Sequence, residues 1–396
     1  MLERMEKQNR IFSGFDADAI DRTTAADLAE VGSDKWTRYP GCIGAFIAEM
    51  DYGLAPCIQQ AIDSACDHCK LGYIPEPWKR RVAEACAGWQ KSHYGWDVDP
   101  DIIRVVPDVL EAYEIFLREL VGAGNAVVVP TPAYMPFLSV PKLYDVDVIE
   151  IEMLQGTDET TGEREWLFDF DAIERAFAAG CHAFVLCNPH NPIGKVLTLA
   201  EEQRLCELAE RYDVRIFNDE IHAPFVFEGR HIPYPTISEA AARQSMTATS
   251  ASKSFNIPGT KCAQVLLTNP ADREMWAERA VATTTAYNEG DPWFQDALSY
   301  VRRNLGLFDE QMSTRFSGVG YIRPRGTYIA WLDFGPLGID DPAAYFLEKA
   351  KVALTDGRSC GRAGAGCARV NMAMPYPLLE DCLNRMHDAL QADGLL

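Results

Sequence analysis

The sequence predicts an α/β fold: a large unit built on a mainly parallel seven-stranded sheet between helices, followed by a smaller α+β unit. Three observations predict it. Between residues 102 and 267, short continuous apolar runs alternate with amphipathic stretches of helical period, as in a parallel sheet covered on both faces. Polar residues able to do chemistry fall just beyond the ends of those runs, where such sheets bind ligands. After about residue 280 the alternation gives way to a different order of helices and strands.

Residues 1–45 are polar, interrupted by Gly and Pro, and read as an arm that also joins the smaller unit. A helix is expected over 56–70, opened by Pro56 at a first-turn position and closed before Pro75 and Pro77. A second helix covers about 78–93. Strands are expected at 102–106, 126–129, 146–152, 183–187, 214–218, 246–249 and 263–267, with helices at 109–121, 169–179 and 199–212 between them. The helix after Pro107-Asp108 begins at Val109-Leu110, where free backbone N–H groups make a seat for phosphate. These elements form a large domain, 46–285. A linking helix at 286–304 opens the smaller domain, 286–396, which continues with a strand at 326–333, a helix at 341–351, a Gly-rich loop at 357–366, a strand at 368–371 and a last helix at 377–392.

Composition narrows the function. With 37 basic against 58 acidic residues the chain carries a net charge of −21, which argues against nucleic acid or an anionic membrane surface as a partner. No apolar run reaches the roughly 18 residues that a membrane helix needs. The opening Met1-Leu2-Glu3-Arg4-Met5-Glu6-Lys7 lacks the apolar core of a signal peptide, and the twelve cysteines are scattered in apolar contexts. A cytoplasmic protein with reduced thiols is expected. Cys66-Asp67-His68-Cys69 has the spacing of a metal or redox pair. It has no second ligand pair, however, and two cysteines three apart on a helix merely share a face.

The chemistry concentrates around Thr249-Ser250-Ala251-Ser252-Lys253-Ser254-Phe255-Asn256. A lysine that forms a Schiff base needs small neighbours, and hydroxyls two apart can receive a phosphate; a solvated surface lysine is the plainer reading. Asp219 ends a strand, where a carboxylate can keep a pyridine nitrogen protonated or simply cap a helix. Asn188, in Asn188-Pro189-His190-Asn191-Pro192, can donate to a phenolate or a carboxylate, or belong to an ordinary tight turn. Tyr134 can stack on a flat ring or be a half-buried tyrosine. Arg369 can fork a carboxylate or make an inter-lobe salt bridge.

Taken together, Asn188-Pro189-His190-Asn191-Pro192-x-Gly194, Asp219-Glu220-Ile221-His222 and Ser250-x-Ser252-Lys253-Ser254-Phe255-Asn256 resemble the fold-type I pyridoxal-phosphate (PLP) enzymes of the class I/II aminotransferase superfamily. Lys35-Trp36, Ala48-Glu49-Met50-Asp51-Tyr52, Gly326-Thr327-Tyr328-x-x-Trp331-Leu332-Asp333 and Arg369-Val370-Asn371-Met372-Ala373 further resemble its cystathionine β-lyase branch, the MalY/PatB type of C–S lyase. The resemblance runs from about residue 20 to the C-terminus. It implies the aspartate aminotransferase-like PLP-transferase fold and a homodimer with its active site at the subunit interface. In that scheme Lys253 carries the cofactor, Asp219 faces the pyridine nitrogen, Asn188 and His222 stand at the phenolic oxygen, and Tyr134 stacks on the ring. Ser250, Ser252, Lys261 and the backbone at Val109-Leu110 hold the phosphate, with Tyr73 of the other subunit. Arg369 grips the substrate α-carboxylate.

The implied reaction is α,β-elimination from cystathionine or another S-substituted L-cysteine, giving a thiol, pyruvate and ammonia. An L-amino-acid aminotransferase and a PLP-binding regulatory protein are the alternatives. Four positions depart from the pattern. Lys261 stands where aminotransferases usually have arginine, Phe46 and Glu49 replace the branch's usual Trp and Asp, and Arg325 replaces an acid.

Overall fold

The computed structural model describes residues 15–68, 76–157, 162–274 and 291–396. In the N-terminal region three short helices, Ala17–Asp21, Ala25–Val31 and Asp34–Thr37, stand where only an arm was expected. Local capping makes them possible: Thr24 and Asp27 form a reciprocal capping box, and Asp16 accepts from the Ala19 N–H. The strand β1 (Ile43–Gly44) follows, and Gly44 is needed there because a Cβ would lie 2.0 Å from the Lys35 carbonyl oxygen. Helices Pro56–Asp67 and Glu76–Trp89 match the expected pair, the second running on into a π-helical turn at Gln90–Tyr94. Cys66 is exposed, and Cys69 lies outside the described residues.

The central strands are β2 (Ile103–Val106), β3 (Ala126–Thr131) and β4 (Asp147–Glu152). After the hairpin β5 (Leu154–Thr157) and β6 (Arg164–Leu167) come β7 (Ala183–Cys187), β8 (Arg215–Asp219), β9 (Ser245–Thr249) and β10 (Ala263–Leu266). The seven-stranded sheet has the order β2-β10-β9-β8-β7-β3-β4. Only β10 runs against its neighbours. It follows β9 through a loop with no crossover helix, and such a connection returns the chain antiparallel.

The strands are apolar on both sides because helices cover both. Val127, Val129, Val185, Phe217 and Val265 pack with Tyr113, Phe116 and Phe137. Val128, Phe184, Leu186 and Ile216 pack with Ile173, Phe177, Leu205 and Leu208 from helices Phe170–Ala178 and Leu199–Arg211. Each such side chain contributes about 1.5–3 kcal/mol when fully buried.

In the C-terminal part, helix Asp291–Thr314 leads to β11 (Gly320–Tyr321) and β12 (Ile329–Asp333). There follow helix Pro342–Lys349, β13 (Val352–Ala353), β14 (Thr355–Asp356), β15 (Cys367–Asn371) and helix Tyr376–Ala392. An antiparallel sheet of order β11-β12-β15-β14 forms here, while β13 pairs in parallel with β1. The core around Phe308, Leu332, Phe334, Phe346, Val370 and Leu383 also takes in Leu28 and Trp36 from the N-terminal helices.

A buried ion pair fixes how the N-terminal helices meet the rest. Lys35 Nζ lies 2.7 Å from Asp51 Oδ2 and donates to the Glu49 carbonyl at 3.0 Å, while the Trp36 indole donates to Asp51 Oδ1 at 2.8 Å. Burial pushes the Asp51 carboxyl up even though Lys35 draws it down. Removing one partner strands the other charge in the core. Lys35→Ala is expected to lower stability by about 3–5 kcal/mol in chemical denaturation; a loss under about 1 kcal/mol, the size of a surface pair, would contradict this role.

Candidate active site

The carboxyl ends of β3, β7, β8 and β9 open onto one cavity of about 590 Å³, closed from the other side by residues 46–48, 353–356 and Arg369. That volume lies within the range of small-molecule sites.

Lys253 stands in the loop after β9. The Ser250 hydroxyl turns this loop by accepting from the Ser252 N–H at 3.0 Å and donating to the Cys262 carbonyl at 2.7 Å. Ala251 and Phe255 anchor it in the core, and the Asn256 amide clasps both the N–H and the carbonyl of Met50 at 3.0 and 2.6 Å. Lys253 Nζ donates to the Ala48 carbonyl at 2.8 Å. Burial, with the Arg369 charge nearby, brings its pKa down to about 8, against the pull of Glu49 and Asp219.

Asp219, the last residue of β8, is buried and accepts from the Ile221 N–H at 3.0 Å. Burial lifts its carboxyl to about 7, more than the Ile221 N–H and Lys253 can offset. Such a carboxyl gains from a cationic partner in the cavity. His222 is buried, with Nδ1 3.2 Å from the Thr327 hydroxyl, and burial beside Lys253 and Arg369 drops its pKa to about 3. Its imidazole is therefore neutral. Tyr134 lines the cavity and meets Phe137 edge-on at 5.5 Å.

Arg369, on β15, is 4% exposed. Its hydrogen bonds go to neutral oxygens: Thr355 Oγ1 at 3.3 Å, Asn191 Oδ1 at 3.3 Å and the Phe46 carbonyl at 2.6 Å. Among the described residues no carboxylate pairs with it. A buried guanidinium in that state calls for an anion supplied from the cavity.

Most of the residues expected from the sequence thus line one space: Lys253, Asp219, His222, Tyr134, Ser250, Ser252, Lys261, Val109, Leu110 and Arg369. Two do not. Asn188 is turned away, its amide donating to Glu202 Oε1 at 2.8 Å and accepting from the Leu197 N–H at 3.1 Å. Its own N–H continues the ladder to the Asp219 carbonyl at 3.0 Å, which aims the side chain behind the sheet. The asparagine that lines the cavity is Asn191, three residues on. Its signal was present in the sequence, as the second Asn-Pro of the same motif. The other, Tyr73, lies outside the described residues.

The sequence reading also missed Thr355 and the carbonyls of Phe46 and Ala48, which hold Arg369 and Lys253. His190 serves the site indirectly: Nε2 lies 2.9 Å from the Pro132 carbonyl, just before Tyr134.

This donor set fits pyridoxal phosphate. The amine of depressed pKa suits attachment of a carbonyl cofactor, the buried carboxyl suits a protonated ring nitrogen, and the lone guanidinium suits a carboxylate. Toward Ser252 and Lys261 the cavity offers a hydroxyl and a cation for a phosphate, beside Ser250, whose hydroxyl donates to the Cys262 carbonyl. Among the described residues no cluster of metal-binding side chains occurs.

The comparisons agree with this geometry. The profile of the family Aminotransferase class I and II matches residues 49–386. Cystathionine beta-lyase of Corynebacterium glutamicum is 32% identical over 90% of this chain and 96% of its own length. Protein MalY of Escherichia coli K12 is 31% identical over 87% of this chain and 91% of its own. The crystal structure of a candidate PLP-dependent β-cystathionase from Corynebacterium diphtheriae superposes with a TM-score of 0.86, at 33% identity over 93% of this chain and 98% of that one. Fold, site and sequence together make this chain a member of the class I and II aminotransferase family.

Proposed function

We infer that the protein is a pyridoxal-phosphate-dependent carbon–sulfur β-lyase, eliminating a thiol from cystathionine or another S-substituted L-cysteine. The observation that carries the reading is one cavity bounded by Lys253, Asp219 and an Arg369 that has no counter-ion among the described residues. The similarity to cystathionine beta-lyases supports the choice of reaction.

When bound, the cofactor supplies an electron sink joined to the substrate nitrogen. The chain's residues do the rest. Arg369 takes the α-carboxylate on its guanidinium fork and so sets which bond at Cα faces Lys253. Lys253, whose pKa burial brings down to about 8, would anchor the cofactor and, with its amine free, would accept the Cα proton. Asp219 would keep the ring nitrogen protonated, and Tyr134 would offer its ring as a stacking face. Asn191, in place of Asn188, and neutral His222 would be the side chains to hold the phenolic oxygen, since both line the cavity. The Cβ–S bond then breaks with its electron pair leaving on sulfur, and the released aminoacrylate hydrolyses to pyruvate and ammonia. Assembly as a homodimer, with Tyr73 of the second subunit at the phosphate, and a cytoplasmic site of action belong to the same proposal. No helix among the described residues is long and apolar enough to cross a membrane, and the described cysteines are free.

Three outcomes are expected. Given L-cystathionine or an S-alkyl cysteine and no oxo acid, the purified protein should release thiol and pyruvate, and Lys253→Ala should abolish both the release and the visible absorbance of the lysine-bound cofactor. Turnover only on adding a 2-oxo acid would instead make it an aminotransferase. Arg369→Lys, which keeps the charge but loses the fork, should lower kcat/KM about 100-fold through KM while leaving that absorbance unchanged. Finally, acylation of Lys253 in cofactor-free protein should rise with pH and level off above a midpoint near 8. A rate still climbing at about pH 10, as for an ordinary lysine, would refute the depressed amine.

A further inference from the structure

One end of the cavity carries a feature that a phosphate seat does not call for. Asp108 lines it together with Val109, Leu110, Ser250, Ser252 and Lys261. The Asp108 carboxylate does two things: Oδ1 caps helix Val109–Ile115 by accepting from the Glu111 N–H at 2.9 Å, and Oδ2 takes Lys261 Nζ at 2.8 Å. Lys261 sits in left-handed backbone at φ +51°, directly before Cys262, whose carbonyl holds the Ser250 hydroxyl. The cation at this end of the cavity, Lys261, is therefore already committed to an acid that faces the same space.

Neither of the two obvious explanations requires the charge. Asparagine and serine cap a helix about as well as aspartate, so the cap does not need a carboxylate. The Asp108 and Lys261 side chains are 38% and 64% exposed, and a pair so placed adds little to stability. What the carboxylate does change is the potential felt by an anion. With Asp108 ionised, this end of the cavity has a net charge near zero; without it, Lys261 would be free for the ligand.

We propose that Asp108 is a counterweight that weakens the chain's hold on the cofactor phosphate, with Lys261 shared between the two anions. The proposal rests on the cofactor reading above. It makes the fraction of protein carrying cofactor depend on cofactor supply, since part of the phosphate's attraction is cancelled by design of the site. The effect belongs to the phosphate alone. A cofactor form without phosphate would bind with the same affinity whatever stands at position 108.

The test titrates the full-length chain, stripped of cofactor, with pyridoxal phosphate and in parallel with pyridoxal, following the absorbance of the lysine-bound form. Asp108→Asn should lower the dissociation constant for pyridoxal phosphate roughly three- to tenfold and leave that for pyridoxal unchanged. Its affinity should also fall more steeply with added salt than that of the wild type. Lys261→Met should shift pyridoxal phosphate in the opposite direction. Asp108→Ser, which also caps, supplies the same measurement if the asparagine variant folds poorly by circular dichroism. Unchanged or weaker binding of pyridoxal phosphate by both Asp108 variants, or an equal gain for pyridoxal, would overturn the proposal while leaving the cofactor reading standing. Failure of the wild-type chain to take up pyridoxal phosphate would overturn both.

Discussion

Everything at the site hangs on the irregular segment 46–50, and that segment hangs on the buried pair Lys35–Asp51. A segment without ladder partners must still satisfy its buried carbonyls. Here, side chains from distant parts of the chain do so. Phe46 O accepts from Arg369 and Thr355, Ile47 O from Asn371, Ala48 O from Lys253 and Tyr328, and Glu49 O from Lys35 and Asn371. Arg369 comes from the C-terminal sheet and Lys253 from the loop after β9, so one strip of backbone sets the distance between the two lobes' functional groups. Lys35 and Asp51 hold that strip from behind, where no water competes. A shift of the N-terminal helices would therefore move both the amine and the guanidinium, although neither touches them.

The electrostatics follow from the same enclosure. In a chain of net charge −21 the cavity contains a guanidinium whose hydrogen bonds, among the described residues, go to neutral oxygens. Opposite it is a carboxyl that burial has lifted to about 7. Each is unfavourable alone and each suits a ligand of the opposite charge, so the free site is destabilised where the loaded site is not. Behind the sheet the polar groups serve structure instead. Glu202, pushed up to about 9 by burial and by Glu220, receives the Asn188 amide. Glu220 lies 3.1 Å from His231 and accepts from Asn218 at 2.6 Å. The line between the two sets is the sheet itself: Asp219 faces the cavity and Glu220, the next residue, faces away.

That alternation explains what was legible in the sequence. The seven strands and their covering helices could be read because apolar runs and helical periods are local signals, and the strand ends placed Tyr134, Asp219 and Lys253 on one edge. Asn188 misled because the strand end was taken as the entrance to the cavity. In the fold, Asn188 still belongs to the ladder, and the turn through Pro189 and His190 is needed before a side chain, that of Asn191, faces the site. The hairpin β5–β6 and the two-residue pairing of β1 with β13 left no mark, since strands of two to four residues carry too little period. The short N-terminal helices were missed because their stability comes from caps and from Leu28 and Trp36 docking on a core made 300 residues later. Carbonyl contacts such as those of Phe46 and Ala48 are invisible in sequence by nature, as every residue has the same carbonyl.

The choice of a carbonyl as the resting partner of Lys253 has a chemical consequence. A carboxylate in that place would hold the ammonium form and raise the pKa, working against the proposed role of a base that accepts a proton. A neutral acceptor positions the amine while favouring its charge less than a carboxylate would, and burial beside Arg369 takes the pKa to about 8. On the proposed role the lysine would also leave this partner to attach to the cofactor, and a buried acceptor abandoned in that way would cost about 1–3 kcal/mol. Ala48 O avoids this because its second lone pair already accepts from the Tyr328 hydroxyl at 3.1 Å. Tyr328 is wholly buried and cannot drift away. The carbonyl stays satisfied whether Lys253 is present or not, so the lysine is held in place by a bond that it can release at little cost.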